Sequence, residues 1–315
     1  MQYRRLGSAG LKISAVSLGG WLTYGASVAD DVATMCVREA LSQGVNYIDL
    51  ADVYANGEAE TVVGRALKEY RRSDLVISSK VFWPMGEGPN DRGLSRKHIM
   101  ESIDGSLRRL GTEYLDIYFA HRFDPETPLE EVVRAMDDLV HQGKILYWGT
   151  SVWSAAQIEQ TIGICRDWRA CLPQVEQPRY NMLDRHIEPE ILPVAARHGM
   201  GITVFSPLAQ GILTGKYIHG IPTGSRADIS DSLARDLTDD TISKVKALAE
   251  VAKELDLTMS QLALAWILRR AEISCVIIGA TQPEQVIANV PAAEITLTPE
   301  VQERIEDILN NRPGA

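Results

Sequence analysis

At positions 47–54 the chain reads Tyr47-Ile48-Asp49-Leu50-Ala51-Asp52-Val53-Tyr54. An apolar run that ends in an aspartate predicts a buried strand, and a tyrosine follows that aspartate five positions later. The carboxyl ends of strands are where α/β enzymes carry their catalytic groups. Taken alone, a carboxylate at such a position is more often a cap for the next helix. The other strand ends therefore decide what Asp49 and Tyr54 do, while Asp52 between them has no assignment.

The composition limits the classes of function that fit. The 315 residues carry a formal net charge of -10, so we expect no nucleic-acid partner and no binding to anionic membranes. A local basic pocket for one small anion is still allowed. No apolar run approaches the ~20 residues that a membrane span needs, which predicts no direct membrane insertion. Residues 1–11 lack the apolar core of a signal peptide, and we expect a cytoplasmic protein.

The cysteines predict neither a disulfide framework nor a metal site. Cys36, Cys165, Cys171 and Cys275 are scattered, without a Cys-x-x-Cys pair or zinc-ligand spacing to a histidine. Buried free thiols in a reducing compartment are the expectation.

Short apolar runs alternate with helix-period segments along the whole chain. After a hairpin predicted over residues 2–14, strands are predicted at 16–19, 46–49, 75–80, 114–120, 145–149, 172–175, 202–205 and 275–278. Helices are predicted at 30–43, 59–70, 95–110, 129–141, 154–167, 187–197, 241–255, 260–270 and 283–290, with a tail helix at 298–309. Eight strand–helix units without a linker predict one domain over residues 1–315. Its fold class is α/β, a (β/α)8 TIM barrel with an N-terminal hairpin and a C-terminal tail helix. A doubly wound sheet would carry a Gly-x-Gly-x-x-Gly motif, which the chain lacks.

Polar residues close every predicted strand from the second to the eighth. A barrel brings the carboxyl ends of its strands to one mouth, so these residues can share a site. They are Asp49, with Tyr54 beyond it, then Lys80, His121, Thr150-Ser151, Glu176-Gln177, Ser206 and Gly279-Ala280-Thr281. Each alone is most simply structural, but together they predict a catalytic site.

Lys80 is the most informative of these residues, because a lysine at the end of a buried strand costs several kcal/mol unless it is paired. Asp49 on the neighbouring strand is a suitable partner. An ammonium group beside Tyr54 would favour the phenolate and make the hydroxyl a better proton donor. His121 could hydrogen-bond the same substrate oxygen. A capping lysine and a satisfied core histidine are the alternative, but the four together predict proton donation to a carbonyl oxygen.

The predicted set contains no hydride donor and no activated nucleophile, so a cofactor must bring the reductant. Ser151 and Gln177 could hydrogen-bond a carboxamide, and Phe205 could stack on a flat ring. The long connection over residues 206–240 contains Lys216 and Arg226 among glycines, which suits a basic loop over a pyrophosphate. A solvated surface loop is the alternative.

Several motifs resemble the aldo-keto reductase superfamily. They are Asp49, Tyr54, Lys80 and His121, then Asn56-Gly57-Glu58-Ala59-Glu60 and Gly149-Thr150-Ser151. Ala135-Met136, the run from Gly143 to Trp153, the run from Ser206 to Ile212, Gly215-Lys216-Tyr217 and Gly279-Ala280-Thr281 are similar to one branch. That branch contains the β subunits of voltage-gated potassium channels and their bacterial relatives.

The resemblance implies a barrel that binds NADPH across its mouth and reduces carbonyl compounds. By position, Tyr54 is the proton donor, Asp49 and Lys80 tune it, and His121 orients the substrate. The implied cofactor contacts are Gly20, Trp21, Asp49, Ser151, Gln177, Phe205, Ser206, Pro207, Leu208, Gln210, Gly211, Lys216, Ser225, Arg226, Gly279, Thr281, Gln285 and Asn289. The implied substrate pocket is Trp21, Tyr54, Trp83, His121 and Trp153, and for each tryptophan a place in the barrel wall is the alternative.

Two departures from the family pattern bear on function. The channel subunits generally carry asparagine where this chain has His121, which favours a working reductase over a purely regulatory protein. Ala288 stands where the family usually has a glutamate, and Gly279 and Gln285 replace basic residues that many members place on the 2′-phosphate. NADPH preference then rests mainly on Arg226 and Lys216, with NADH tolerated.

The sequence leads to one main hypothesis and two alternatives. The main hypothesis is a cytoplasmic NADPH-dependent reductase of small aldehydes and ketones. The alternatives are an NADPH-binding, redox-sensing subunit with slow turnover, and a barrel isomerase or lyase without redox chemistry. The resemblance also implies a homo-oligomer, a tetramer in the channel-associated relatives, and an ion-channel partner is the less favoured expectation.

Overall fold

Eight short apolar runs form a closed parallel barrel. The computed structural model describes residues 1–21, 24–25 and 28–313, apart from the side chain of Ser232. Strands β1 (Tyr3–Arg5) and β2 (Lys12–Ser14) pair as an antiparallel hairpin. The barrel strands are β3 (Val16–Gly19), β4 (Tyr47–Asp49), β5 (Val76–Val81), β6 (Leu115–Ala120), β7 (Ile145–Thr150), β8 (Val175–Glu176), β9 (Gly201–Val204) and β10 (Ile273–Ile278). They follow one another around the barrel in chain order, and β10 closes it by pairing with both β9 and β3.

Helices alternate with the strands and cover the outside of the barrel. They are α1 (Asp30–Ser42), α2 (Glu58–Leu67), α3 (Arg96–Leu110), α4 (Leu129–His141), α5 (Ala155–Trp168), α6 (Ile191–His198), α7 (Arg226–Ile229), α8 (Asp231–Asp236), α9 (Asp239–Glu254), α10 (Met259–Leu268), α11 (Pro283–Asn289) and α12 (Pro299–Leu309). This is the predicted (β/α)8 barrel, with α12 as the predicted tail helix. Among the helices described, none is long and apolar enough to cross a membrane.

The boundaries of α3 illustrate how local sequence sets an element. Ser95 caps its first turn by accepting a hydrogen bond from the amide of His98 at 3.2 Å. Gly111 ends it in the left-handed conformation, at φ 66°, where a residue without Cβ avoids strain. Both boundaries agree with the sequence prediction, because they depend only on residues next to the helix.

The N-terminal hairpin region closes the amino-terminal end of the barrel. Leu6 and Ile13 are fully buried and pack in one cluster with side chains of the barrel interior, among them Tyr47. Gly7 makes this close approach feasible: its φ is +59°, and a Cβ there would lie 2.2 Å from the carbonyl oxygen of Gly199. With one end filled by side chains, only the carboxyl end of the barrel is left for a site.

Several elements differ from the predicted boundaries, among them β8, α6 and β5. Strand β8 is shorter than the predicted 172–175 and begins only at Val175, since Pro173 has no amide to donate to a ladder. Helix α6 begins at Ile191 rather than at residue 187, which places Pro193 in its first turn, where proline is tolerated. Strand β5 continues one residue past Lys80.

Candidate active site at the barrel mouth

The carboxyl ends of the barrel strands open into a cavity of about 790 Å³. This volume lies in the range of small-molecule and cofactor sites. Most of the residues that the sequence predicted for the site line it, namely Trp21, Asp49, Tyr54, Trp83, His121, Ser151, Gln177, Phe205, Ser206, Pro207, Leu208, Gln210, Gly211, Lys216, Ser225, Arg226, Gly279, Thr281, Gln285 and Asn289. Lys80 lies beneath this lining.

The ammonium group of Lys80 connects the acidic and phenolic groups of the site. Lys80 is fully buried, and its Nζ donates to Oδ2 of Asp49 at 2.7 Å, to the carbonyl oxygen of Leu50 at 2.6 Å and to the hydroxyl of Tyr54 at 3.2 Å. Burial by itself lowers the pKa of Lys80, but Asp49 and Tyr54 outweigh this effect and the pKa lies above its ordinary value. Lys80 is therefore charged at neutral pH.

The carboxylate of Asp49 is held by donors on both oxygens. Lys80 occupies Oδ2, while Oδ1 accepts from Ser78 Oγ at 2.7 Å, Gln177 Nε2 at 2.9 Å and Tyr47 Oη at 3.4 Å. These donors hold the buried carboxylate in one orientation. This network fixes the position of the ammonium group below Tyr54.

A tight turn after Tyr54 directs the chain into α2. The next three residues have positive φ: 49° at Ala55, 53° at Asn56 and 93° at Gly57. Such values are uncommon for residues with a Cβ and occur where the surrounding structure holds them, often at functional sites. The turn anchors Tyr54 from one side while Lys80 holds its hydroxyl from the other.

Two opposing effects set the pKa of Tyr54. Removal of the hydroxyl from water raises the pKa above the ordinary value near 10, and Lys80 offsets only part of this increase. The lowering by Lys80 that the sequence predicted is present, but desolvation, which the sequence did not address, is the larger effect. Tyr54 thus keeps its proton at neutral pH, and its hydroxyl is a donor.

His121 is a neutral histidine at the cavity wall. Burial lowers its pKa well below 6.5, and the positive charges of Lys80 and Arg122 lower it further. Its ring lies edge-on to that of Tyr54, with centroids 6.0 Å apart. Nδ1 is buried and has no hydrogen-bond partner among the residues that the structure describes. A neutral imidazole has one N–H donor and one acceptor, so His121 can bind a carbonyl oxygen without carrying a charge.

The predicted carboxamide and ring contacts lie on the adjoining strands. Gln177 uses Nε2 to bind Asp49, which leaves its amide oxygen as an acceptor. Ser151 Oγ donates to the backbone carbonyl of Gln177 at 2.9 Å and leaves its oxygen lone pairs as acceptors. Phe205 follows β9 and forms part of the same wall. The geometry is compatible with a carboxamide that donates to these oxygens and a flat ring against Phe205.

The far end of the cavity is basic. Lys216 and Arg226 line it, and neither forms an ion pair with an acidic group of the described part of the chain. The Arg226 guanidinium lies 5.9 Å from the centroid of the Trp21 ring. Ser225 Oγ, next to Arg226 in the chain, is buried and has no hydrogen-bond partner among the residues that the structure describes. Two unpaired cations and an orphaned hydroxyl fit the phosphate groups of a dinucleotide.

The chain reverses direction sharply beside this basic end. Ser206 and Gln210 adopt positive φ values of 51° and 56°, and Gly211 reaches 102°. A Cβ at Gly211 would lie 2.8 Å from Cε of Lys216, so the absence of a side chain lets the lysine cross this turn. At the end of the cavity predicted to contact adenosine, the Thr281 amide donates to Gln285 Oε1 at 2.9 Å, which holds both in place.

Besides Lys80, two of the residues predicted to contact cofactor or substrate do not line the cavity. Trp153 is buried and packs edge-to-face on Phe123, with ring centroids 5.1 Å apart. It therefore belongs to the barrel wall, which was the alternative to a place in the substrate pocket. Gly20 follows β3, donates its amide to the Asp49 carbonyl at 3.0 Å and packs against the Leu50 side chain. Both predictions came from the family pattern, which does not report which way a side chain or backbone group faces.

Arg122 lines the cavity although the sequence analysis did not select it. It directly follows His121, but it does not itself close the predicted strand and belongs to none of the family motifs quoted above. Adjacency to a strand end is the signal that would have found it.

Asp52, which the sequence left unassigned, is buried behind the Tyr54 turn. It accepts hydrogen bonds from Ser102 Oγ of α3 at 2.6 Å and from the Val53 amide at 2.7 Å. Burial raises the pKa of Asp52 to about 7. The bonds connect the turn to α3, so Asp52 is part of the support for Tyr54 rather than of the cavity lining.

A barrel with an Asp–Lys–Tyr–His cluster at its mouth is the arrangement that the sequence motifs predicted. Comparison with known proteins agrees: the pattern of the aldo/keto reductase family matches residues 15–310. The chain belongs to the aldo/keto reductase family.

Within this family the chain is similar to curated proteins from plants and a yeast. It is 45% identical to a protein of Oryza sativa subsp. japonica and 46% to one of Arabidopsis thaliana, covering 99% of this chain and 98% of each relative. It is 47% identical to a protein of Schizosaccharomyces pombe, over 99% of this chain and 94% of that protein. All three carry the provisional name of a voltage-gated potassium channel subunit beta. The resemblance to this branch is thereby confirmed.

Proposed function

We propose that the protein is an NADPH-dependent oxidoreductase that reduces aldehydes and ketones to alcohols, with Tyr54 as the proton donor. The observation that carries this proposal is the ammonium group of Lys80, which bridges Asp49 and the Tyr54 hydroxyl at the base of the cavity. NADPH, when bound, supplies the hydride that adds to the carbonyl carbon.

The protein's own groups handle the carbonyl oxygen. As negative charge develops on that oxygen, Tyr54 transfers its proton, and Lys80 stabilises the phenolate that remains. Asp49 keeps Lys80 charged and in place. The neutral His121 donates a hydrogen bond to the same oxygen and so orients the carbonyl toward Tyr54. The aromatic groups Trp21 and Trp83 would bound the substrate pocket and limit access of water.

The residues proposed to hold the cofactor extend along the cavity. Ser151 and Gln177 would bind the carboxamide and Phe205 the nicotinamide ring, while Lys216, Ser225 and Arg226 would bind the phosphates. Ser206, Pro207, Leu208, Gln210 and Gly211 would follow the pyrophosphate, and Gly279, Thr281, Gln285 and Asn289 would contact the adenosine end. Since Arg226 and Lys216 are the cations at this end, we propose a preference for NADPH with tolerance of NADH.

The test is the variant Tyr54→Phe, which removes one hydroxyl. We expect kcat for 4-nitrobenzaldehyde to fall by roughly 10²- to 10⁴-fold, as for loss of a general acid. NADPH binding, measured by fluorescence titration, should stay within about threefold. Tyr3→Phe is the matched control, because its hydroxyl bonds the Gly44 carbonyl in the N-terminal region, away from the cavity. A folded Tyr54→Phe enzyme with the wild-type rate would refute the assignment of Tyr54.

A second candidate function is favoured by the names of the relatives. In this reading the chain is an NADPH-binding, redox-sensing subunit that turns over slowly and associates with an ion channel. Near-stoichiometric NADPH on the purified protein, together with slow turnover and recovery of a membrane partner in pull-downs, would support it. We also propose that residues 1–315 form one cytoplasmic domain that assembles into a homo-oligomer, which size-exclusion chromatography with light scattering would test.

A further inference from the structure

One cation of the cavity lies at the substrate end rather than the phosphate end. Arg122 follows His121 at the exit of β6 and lines the same cavity. Its guanidinium lies 5.6 Å from the centroid of the Trp83 ring, and that ring lies 6.4 Å from the ring of His121. The His121 ring in turn contacts that of Tyr54. Arg122 is thus a neighbour of the groups proposed to bind the carbonyl.

Arg122 has no acidic partner in the described part of the chain. Its one hydrogen bond runs from Nη1 to the backbone carbonyl of His121, so most of its five N–H donors are unused. The acid on the cavity wall, Asp49, is already paired with Lys80. Glu176 lies behind the wall, fully buried, where it accepts from Thr150 Oγ1 and the Trp153 amide.

A half-buried guanidinium without a counterion is energetically costly. Burial lowers the pKa of Arg122, and Tyr54 and Glu176 counter this only in part. An anion that enters the cavity would satisfy the planar donors and remove this cost, and arginine binds carboxylate or phosphate with two parallel hydrogen bonds. Lys216 and Arg226 cannot serve the same anion if they hold the cofactor phosphates.

We propose that Arg122 selects carbonyl substrates that carry an anionic group, a carboxylate or a phosphate, a few atoms from the carbonyl. This inference rests on the proposed reductase function. The carbonyl would lie between Tyr54 and His121, the carbon chain or ring against Trp83, and the anion on Arg122. The overall charge of the protein is no obstacle, because the pocket itself contributes a local positive charge.

Two matched pairs of aldehydes test the inference and separate the two anions. The first pair is 4-carboxybenzaldehyde and methyl 4-formylbenzoate, and the second is glyceraldehyde 3-phosphate and glyceraldehyde. Charge-assisted hydrogen bonds predict that kcat/KM for the anionic member exceeds that of its neutral partner by roughly 10- to 100-fold in at least one pair. In Arg122→Gln this ratio should fall to about 1, and Arg122→Lys should retain part of it.

A ratio near 1 in the wild type, or a ratio unchanged in Arg122→Gln, would overturn the inference. If Arg122 acts only by tuning Tyr54, Arg122→Gln should lower kcat/KM for both aldehydes of a pair equally and shift the pH dependence of kcat/KM. That result would also overturn the inference. Calorimetric titration of the NADPH-bound protein with 4-(hydroxymethyl)benzoate and with inorganic phosphate needs no turnover. Should the reductase function fail, binding of either anion that is lost in Arg122→Gln still supports the anion site. Equal binding by both proteins refutes it.

Discussion

Replacement of Lys80 by methionine should destabilise the protein by about 4 kcal/mol at pH 7. Methionine keeps most of the apolar stem of the fully buried lysine, so little packing is lost. What disappears is the ammonium group and its bonds to Asp49 Oδ2, the Leu50 carbonyl and the Tyr54 hydroxyl. Removal of one partner of a buried ion pair costs about 3–5 kcal/mol, because the other charge stays buried without compensation.

The remaining bonds of Asp49 show where this cost arises. Oδ1 keeps three donors, whereas Oδ2 loses its partner. The destabilisation therefore comes from the unpaired oxygen of Asp49 and from the lost bonds of the ammonium group.

Urea unfolding followed by tryptophan fluorescence measures this effect at pH 7. Lys68→Met is the control, because Lys68 is exposed at the end of α2 and forms no ion pair in the described structure. Asp49→Asn combined with Lys80→Met should be less destabilised than the sum of the two single variants, since no buried charge is left unpaired. A cost below about 1 kcal/mol for Lys80→Met would show that the pair does not hold the site together.

Two further variants test separate parts of the site. For Arg226→Gln we expect kcat/KM for NADPH to fall by roughly 10- to 100-fold and that for NADH by less than about threefold, because the guanidinium forms no ion pair in the described part of the chain and is proposed to bind the 2′-phosphate. Arg235→Gln, on the exposed surface of α8, is its control, and equal losses for both cofactors would refute the 2′-phosphate contact. Burial raises the pKa of Glu176 from an ordinary value near 4.5 to about 7. The folded protein therefore binds this proton more tightly than the unfolded chain does, and the free energy of unfolding decreases as pH rises between these two values. The free energy of unfolding of Glu176→Gln, relative to that of wild type, should therefore increase by about 3 kcal/mol between pH 4.5 and pH 8. Urea unfolding measures both free energies, and a difference that stays constant across this range would contradict the burial effect assigned to Glu176.

The fold was predictable because its signals are local. The strands alternate with helix-period segments, and caps such as Ser95 and Gly111 lie next to the helices that they end. Helices α7 and α8 were not predicted within the long connection, since four and six residues are too few for a periodic pattern. The limits of β8 depend on which amides meet a neighbouring strand, and that information is not local.

The identities of the site residues were predictable to a greater extent than their properties. Asp49 and Lys80 could be paired because adjacent barrel strands end at the same mouth. The net pKa shift of Tyr54 could not be obtained in this way, because it is the difference between desolvation and the field of Lys80. Both effects depend on how many atoms surround the hydroxyl, a property of packing. For the same reason, the sequence could not decide whether Trp153 lies in the barrel wall or in the substrate pocket.

The raised pKa of Tyr54 defines the role that the buried pair must play. If Lys80 lowered the pKa of Tyr54 below its ordinary value, part of the phenol would ionise at moderately alkaline pH and lose its proton to solvent. Burial prevents this, and Lys80 limits how weak an acid the phenol becomes. Tyr54 then retains its proton until a strongly basic oxygen forms within hydrogen-bond reach. Asp49 is needed for the same reason, since without it burial would lower the pKa of Lys80 and remove the charge that stabilises the phenolate.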